Sequence, residues 1–399
     1  MKISIYTITS PLHDPKTTDE TSKQFLEELN IDYELKGDDF SDYGQSPLNI
    51  IYVRTGGTEG IFKQLLPSLT KQSNQPFYLL TSGKSNSLAA SMEILSFLKQ
   101  QHIHGEILHG EPQYIGSRIL LLYKVREVKA QLRNCKLGVI GKPSDWLISS
   151  NVDYQVVKDK LGIELVDIPI QQVIDIAQKT QPKERKEWYQ YACSHQVKES
   201  ISGAIAIYEA LKKIVDDYQL QGLTIRCFDL LPALHNTGCL ALALLNSEGI
   251  VGGCEGDIPA MLSMKIAYAL TGKTGFQANP AHINPTTGEI LFAHCTIPFN
   301  MIDYYDLLTH FESGIGVGIR GYMQKGDVTI FKVNGKLDRY FAEEGILLEC
   351  QDKPNLCRTQ QLIQLSPETT KYFLTNPIGN HHIVVPSHCK DLLTQFFEE

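Results

Sequence analysis

Short apolar runs alternate with amphipathic segments through the first third of the chain. Apolar runs of this length indicate buried strands, and apolar residues that recur every three or four positions indicate helices. The predicted strands cover residues 2–8, 47–55 and 76–82. The predicted helices cover residues 19–30, 61–72, 86–101 and 117–133. Because strands and helices alternate, we predict a parallel, doubly wound sheet.

A second series of the same kind starts at residue 135. Residues 135–150 are typical of a strand, a turn and the start of a helix, and residues 156–169 of a helix followed by a strand. A long amphipathic segment, 198–220, predicts a helix before a strand over 222–231. A buried apolar segment, 237–249, then leads into the glycine-rich stretch GIVGGCEGDIPAML, which ends the series.

The pattern changes from about residue 295 onward. Apolar residues alternate with polar ones over 317–349, and Asn-Gly and Lys-Gly-Asp turns interrupt them, which indicates antiparallel hairpins. Further strands are predicted over 358–365 and 381–386, followed by a final helix over 390–398. We therefore predict an α/β protein of three domains: residues 1–133 and 134–296, both doubly wound, and a β-rich domain of residues 297–399.

The composition narrows the class of protein. The chain has 399 residues, of which 42% are hydrophobic and 21% charged, and its net charge is −8. Because acidic and basic residues are scattered, we expect no binding to nucleic acid or to an anionic membrane. The nine cysteines are odd in number and form no CxxC motif, which suits a reducing, cytoplasmic environment. The N-terminus does not resemble a signal peptide, and no segment has the apolar length of a membrane span.

The stretch 249–262 places two acidic residues, Glu255 and Asp257, at the start of a predicted helix. Acidic residues are favoured at helix N-termini, and Pro259 suits the first turn, so the two carboxylates could simply cap the helix. A carboxylate at the mouth of an α/β fold could instead bind a metal or transfer a proton. Both interpretations are open at this point.

Three histidines occur in positions that suit a metal site. His294 ends the predicted strand EILFAHC, and His381 and His382 follow a Gly-Asn turn at the start of another strand. Adjacent strand residues point to opposite faces, so only one of His381 and His382 can bind a given metal, while the other orients substrate or packs. Glu255, His294 and His381 together offer nitrogen and oxygen ligands that suit Mn²⁺, Mg²⁺, Co²⁺ or Zn²⁺.

Taken together, a series of short segments resembles the L-fucose isomerase-like proteins, whose fold is similar to that of L-arabinose isomerase. In chain order the segments are RTGGTEG, NSLAASMEIL, IGKPSDWLISS, GCEGDIPAML, LFAHC, THFESGIGVGIRGY, CRTQ and GNHHIVVP. The resemblance covers nearly the whole chain. It implies two Rossmann-like α/β domains, a C-terminal antiparallel β-barrel-like domain, and a homo-oligomer in which polar loops of the first domain reach a neighbouring subunit.

The resemblance also implies a ligand set for a divalent metal, usually Mn²⁺. CEGD matches the segment of the family's first acidic ligand, Glu255, while GNHH and AHC match the segments of two histidine ligands, His381 and His294. The family has a second acidic residue, a metal ligand and proton-transfer partner, where this chain has Asn279. An amide cannot exchange protons in this way, so Asp257 or a metal-bound water is the candidate replacement.

These observations predict a metal-dependent carbohydrate isomerase that interconverts an aldose and a ketose through an enediol. Glu255 and Asp257 are the predicted catalytic residues, and Asn279, His382 and Arg358 the predicted substrate-binding residues. One alternative is a sugar-binding or regulatory homologue without turnover, which the amide at position 279 favours. Another is an enzyme of the same fold that acts on a modified sugar or a sugar acid.

Overall fold

The computed structural model of the protein describes residues 3–183 and 186–398. Contacts divide the chain into two compact units. The first contains the residues up to Ala130 together with the chain end from Gln395, and the second is Gln131–Thr394. The three domains proposed from the sequence, with boundaries at 133 and 296, stay a prediction.

The first unit contains a parallel sheet in the strand order β2-β1-β3-β4-β5. Its elements, with the helix that follows the last strand, are β1 (Ile3–Ile8), α1 (Pro15–Glu28), β2 (Glu34–Gly37), β3 (Leu48–Val53), α2 (Glu59–Gln72), β4 (Phe77–Leu80), α3 (Ser87–Gln100), β5 (Gly105–Leu108) and α4 (Pro112–Leu132). Every residue of β1, β3 and β4 is buried, as expected for a parallel sheet that is covered on both faces.

The predicted alternation of strands and helices in this unit is confirmed, with shifted ends. Lys2, the first residue of the predicted strand 2–8, lies outside the described residues. Helix α1 begins at Pro15, before the predicted start at residue 19, because the Asp14 side chain accepts a hydrogen bond from Thr17 N and caps it. Strands β2 and β5 are short and were not predicted from the sequence.

The second unit begins with a parallel sheet in the order β7-β6-β8-β9. Its elements are β6 (Lys136–Ile140), α5 (Tyr154–Leu161), β7 (Glu164–Ile168), α6 (Ile170–Lys179), α7 (His195–Tyr218), β8 (Gly222–Ile225), α8 (Leu230–Leu234), α9 (Cys239–Ser247), β9 (Val251–Gly253) and α10 (Ile258–Thr271). The apolar segment 237–249 therefore contains a buried helix, α9.

Two predictions in this region are wrong. The helix predicted to start before residue 150 is absent, since residues 141–150 form turns. The Pro143 carbonyl, which a helix would use internally, instead accepts a hydrogen bond from the Arg226 guanidinium at 2.9 Å. The strand predicted over 222–231 ends at Ile225, and the chain then turns into α8.

A closed antiparallel barrel completes the second unit, in the order β10-β11-β16-β15-β14-β17. The elements from here to the chain end are β10 (Phe276–Asn284), β11 (Glu289–His294), β12 (Tyr304–Leu308), β13 (Gly318–Tyr322), β14 (Gly326–Val333), β15 (Tyr340–Cys350), β16 (Thr359–Gln364), α11 (Pro367–Thr375), β17 (His382–Val385) and α12 (Lys390–Glu398). Strands β12 and β13 form a separate hairpin. The fold is thus α/β, with parallel-sheet domains and a C-terminal barrel, as predicted.

Helix α10 joins the second parallel sheet to the barrel. Nearly all of its side chains are buried, and it contacts β8 and β9 on the sheet side and β14 and β17 on the barrel side. Ser263 Oγ accepts a hydrogen bond from Val333 N of β14 at 3.0 Å. The turn before α10 therefore lies where sheet and barrel meet. None of the described helices has the length and apolar character needed to cross a membrane.

Candidate metal centre

Glu255 lies in the turn between β9 and α10. Its backbone is left-handed, with φ +64°, and Gly256 follows with φ +70°. Glu255 O accepts from Ser144 N at 3.0 Å, and Gly256 N donates to Ile225 O at 2.9 Å. A Cβ at position 256 would lie 2.7 Å from Lys142 O, so this close approach requires glycine. Holding a non-glycine residue in the left-handed region costs on the order of 1 kcal/mol, and the surrounding backbone bonds hold Glu255 there.

Two histidines from the barrel approach the Glu255 carboxylate. His294 is the last residue of β11, and His381 directly precedes β17. Nε2 of His381 lies 3.4 Å from Glu255 Oε1, and Nε2 of His294 lies 3.8 Å from the same oxygen. One ligand atom from each residue lies within 4.8 Å of the others. This buried group, which we call the Glu255–His294–His381 triad, could bind a metal ion.

Hydrogen bonds leave one nitrogen of each imidazole directed at Glu255. His381 Nδ1 lies 2.9 Å from Asp257 Oδ2, and His294 Nδ1 lies 3.0 Å from Thr296 Oγ1. A carboxylate that accepts from the far nitrogen of a histidine is typical of metal sites. Among the described residues, His381 Nε2 is one of the few buried polar atoms without a hydrogen-bond partner. Since such atoms are nearly always satisfied, the donor set fits a divalent cation.

The triad favours a positive charge at its centre. Burial would raise the pKa of Glu255, but the interaction with His294 and His381 outweighs burial and holds that pKa well below its usual range. Burial would lower the pKa of His381, but the hydrogen bond to Asp257 and the negative charge of Glu255 outweigh burial and raise that pKa to about 9. For His294 burial dominates and lowers the pKa, so this ring is neutral and offers a lone pair. A cation bound here would displace the proton on His381.

Asp257 lies behind His381 and is fully buried. Its Oδ1 accepts a hydrogen bond from Ala260 N at 2.8 Å, so Asp257 caps α10. Capping is one of the two roles considered from the sequence. Its Oδ2 contacts His381 Nδ1, and both oxygens face the Lys332 ammonium at 3.3–3.4 Å. Burial would raise the pKa of Asp257, but Lys332 and His381 lower it to about 2. The carboxylate is therefore ionised and fully engaged.

Lys332 is a residue of this site that sequence analysis missed. It lies in β14 and is buried, with Asp257 as its ionic partner. Burial lowers the pKa of Lys332 against the attraction of that carboxylate. The sequence signal for it was a lysine at an inward position of a strand in which inward and outward residues alternate. A charged side chain at such a position is rarely buried without a partner.

Two of the predicted substrate-binding residues, Asn279 and His382, lie in different surroundings. Asn279 lines the same cavity as Glu255, and its Oδ1 accepts a hydrogen bond from Asn380 Nδ2 at 3.1 Å. His382 points away from the triad: its Nε2 lies 3.0 Å from Tyr372 Oη and its Nδ1 lies 3.1 Å from Asn380 O, among aromatic rings. The opposite directions of His381 and His382 follow the strand alternation expected from the sequence. His382 occupies the packing position of that pair.

Arg358 supports the segment between β12 and β13. Its Nε donates to Thr309 O at 2.7 Å, one of its terminal nitrogens lies 3.2 Å from Thr309 Oγ1, and its guanidinium lies over the Phe311 ring. The sequence pattern could mark Arg358 as a functional residue, but only the fold shows that its partners belong to this segment.

A cavity opens beside the triad. Glu255, Asn279 and His294 line it together with His310 and Glu312 from the segment between β12 and β13. Five cysteines complete much of the wall: Cys227, Cys239, Cys254, Cys295 and Cys357. All nine cysteines of the chain are free thiols.

Trp146 is a second residue that the sequence analysis did not assign to the site. Its Nε1 donates to Glu255 Oε2 at 2.7 Å, and its ring contacts Phe228 edge-on. Half of the Trp146 surface is exposed. It lies in the segment GKPSDWLISS, which the sequence analysis assigned to a helix start, and the turn in its place directs the indole towards Glu255.

The chain is similar to several enzymes named sulfoquinovose isomerase. It is 23% identical over 276 residues to that of Alkalicoccus urumqiensis, 24% over 268 residues to that of Priestia aryabhattai, and 22% over 279 residues to that of Clostridium sp. (strain MSTE9). Each alignment covers 64% of this chain and 60% of the relative, so the chain spans less than two thirds of those proteins. No protein-family model matches. The similarity supports a relation to sugar isomerases, as the sequence segments indicated, but not to L-fucose isomerases specifically.

Proposed function

We propose that the protein is a metal-dependent sugar isomerase that interconverts an aldose and a ketose. The observation that carries this proposal is the Glu255–His294–His381 triad, which is buried beside a cavity and contains an unpartnered imidazole nitrogen. The similarity to sulfoquinovose isomerases supports the same reaction class. Sulfoquinovose is therefore one substrate to test, beside unmodified aldoses and sugar acids.

Glu255, His294 and His381 would hold the cation, for which Mn²⁺ is our first choice and Mg²⁺, Co²⁺ and Zn²⁺ are alternatives. When bound, the cation supplies Lewis-acid stabilisation of negative charge on the substrate's carbonyl and hydroxyl oxygens. The residues of the chain bind and orient the sugar and move its protons. Glu255 moves the carbon-bound proton between neighbouring carbons, so that an enediol links aldose and ketose.

Asp257 serves this reaction as a positioning residue in our proposal. It is buried behind His381, and its oxygens bind Ala260 N, His381 and Lys332. By accepting the Nδ1–H of His381 it keeps Nε2 directed at Glu255. Asn279 lies on the cavity wall, where its amide can hold a sugar hydroxyl.

The test combines metal analysis with a substrate panel. Purified protein is assayed with Mn²⁺ on pentoses, hexoses, deoxy sugars, sugar acids and sulfoquinovose, and exchange of carbon-bound hydrogen is followed in heavy water. We expect conversion and exchange with at least one sugar. Glu255→Gln should abolish both, whereas Glu164→Gln, which changes an exposed carboxylate on β7, should preserve both. A wild type that shows neither on the whole panel contradicts the proposal.

A sugar-binding homologue without turnover is the second candidate function. The amide of Asn279 on the cavity wall favours it, because an amide does not exchange protons as a carboxylate does. If calorimetry shows that the protein binds a sugar, and the carbon-bound hydrogen of that sugar does not exchange in heavy water, the protein is such a homologue.

We also propose a homo-oligomer, as the sequence resemblance implies. Light scattering at micromolar concentration tests it, and a monomer mass together with intact activity would contradict it.

A further inference from the structure

The cavity contains a second carboxylate besides Glu255. Glu312, from the segment between β12 and β13, lines the cavity, as Glu255 and Asn279 do. Glu312 is also solvent-exposed, so it lies where a sugar entering the cavity would meet it. Asp257, by contrast, is fully buried and does not line the cavity.

The segment that carries Glu312 is held in a defined shape. His310 N donates to Ile315 O and Gly314 N donates to His310 O, both at 3.0 Å, which closes a tight loop around Glu312. Hydrogen bonds also join the loop to its surroundings. Arg358 donates to Thr309 O, and Gln196 Nε2 donates to Gly314 O at 3.0 Å. Glu312 is therefore presented by a rigid loop.

The Glu312 carboxyl lies in an environment that favours its protonated form. Partial burial raises the pKa of this carboxyl, and the negative charge of Glu255 adds to the effect. A carboxyl group that keeps its proton in this way can act as a general acid towards a sugar in the cavity.

We propose that Glu312 is the second proton-transfer residue of the isomerisation, in the role for which this chain has no acid at position 279. This inference rests on the proposed function. In the direction from aldose to ketose, Glu255 takes the proton from C2, the C–H electron pair forms the C1=C2 bond, the C1=O1 π pair moves to O1, and O1 takes the proton of Glu312. In the second half Glu312 takes the proton from the hydroxyl at O2, the O2–H electron pair forms the C2=O2 carbonyl, and the C1=C2 π pair takes the proton of Glu255 at C1. Both carboxyl groups return to their starting states.

The test compares Glu312→Gln and Glu312→Asp with the wild type and with the Glu164→Gln control, all loaded with Mn²⁺. Loss of one general acid–base group typically costs about 10²–10⁴-fold in rate. We therefore expect Glu312→Gln to lower kcat by at least about 100-fold while KM changes by less than about threefold. Glu312→Asp should retain part of kcat, because it keeps a proton-transfer group. Mn²⁺ affinity, measured by calorimetry without sugar, should stay unchanged.

The pH profile separates a chemical role from a structural one. The wild-type rate should decline at high pH as the Glu312 carboxyl loses its proton, and Glu312→Gln should lack this decline. A Glu312→Gln variant that keeps kcat within about threefold of the wild type overturns the inference. So does a variant whose loss of activity is accompanied by loss of Mn²⁺ binding. A wild type without conversion or exchange on the sugar panel overturns the proposed function itself, which distinguishes the two failures.

Discussion

Oδ2 of Asp257 lies 2.9 Å from Nδ1 of His381. This bond connects the cap of α10 to the imidazole that precedes β17, and so joins the parallel sheet to the barrel at the triad. Because Nδ1 is occupied, Nε2 is the nitrogen that faces Glu255. Asp257 therefore affects the triad through His381.

Replacing Asp257 by Asn tests this relationship. The variant keeps the size of the side chain but removes its charge, and loss of such a supporting carboxylate typically weakens metal binding about 10–100-fold. We expect this loss in calorimetric Mn²⁺ titrations, with turnover largely recovered at saturating metal. Asp216→Asn, an exposed change on α7, is the control. If kcat falls while metal affinity is unchanged, Asp257 is instead the proton-transfer residue suggested from the sequence.

Lys332→Met should destabilise the folded protein. The variant leaves the buried Asp257 carboxylate without its cation, and breaking a buried ion pair from one side typically costs about 3–5 kcal/mol. Since His381 still faces Asp257, we expect about 3 kcal/mol. Urea unfolding measures it. The double variant Asp257→Asn/Lys332→Met should be more stable than Lys332→Met alone. A single variant within about 1 kcal/mol of the wild type would show that the pair adds little to stability.

Trp146 should report metal binding by its fluorescence. The chain has two tryptophans, and the Trp146 indole donates to the Glu255 carboxylate at 2.7 Å. A cation that binds Glu255 changes the charge beside this indole, so Mn²⁺ titration should alter the emission. The change should be lost in Trp146→Phe and kept in Trp188→Phe. A signal that survives in Trp146→Phe would place the responding indole elsewhere.

His310 should make stability depend on pH. Burial is the main cause that lowers its pKa to about 4, the charge of Arg358 lowers the pKa further, and the negative charge of Glu255 has a smaller opposing effect. The unfolded chain binds this proton near pH 6.5, so stability is complete above that pH and falls as the pH drops towards about 4. At about pH 5 the loss is about 2 kcal/mol. Urea unfolding at about pH 5 and about pH 7.5 should show this loss in the wild type and a smaller one in His310→Gln, and equal losses would contradict it.

The alternation of apolar runs and amphipathic segments was sufficient to predict the α/β class and a C-terminal region of antiparallel strands. The change was predicted too late, at about residue 295, because the barrel begins with β10 at Phe276. These properties depend on local periodicity, which a strand or helix shows wherever it packs. The opposite directions of the His381 and His382 side chains also followed from strand geometry alone.

The geometry of the triad depended on tertiary structure. Glu255, His294 and His381 are far apart in sequence, and only the packing of α10 against the barrel brings their ligand atoms within 4.8 Å of one another. The burial of Asp257 beside Lys332, the hydrogen bond from Trp146, and the position of Glu312 on the cavity depend on the same packing. Local pattern carries no information about such contacts, because each joins side chains from elements whose relative position is set by the whole core. The sequence alone thus determined the class of fold and the residue types available for chemistry, and the tertiary structure decided which of them meet.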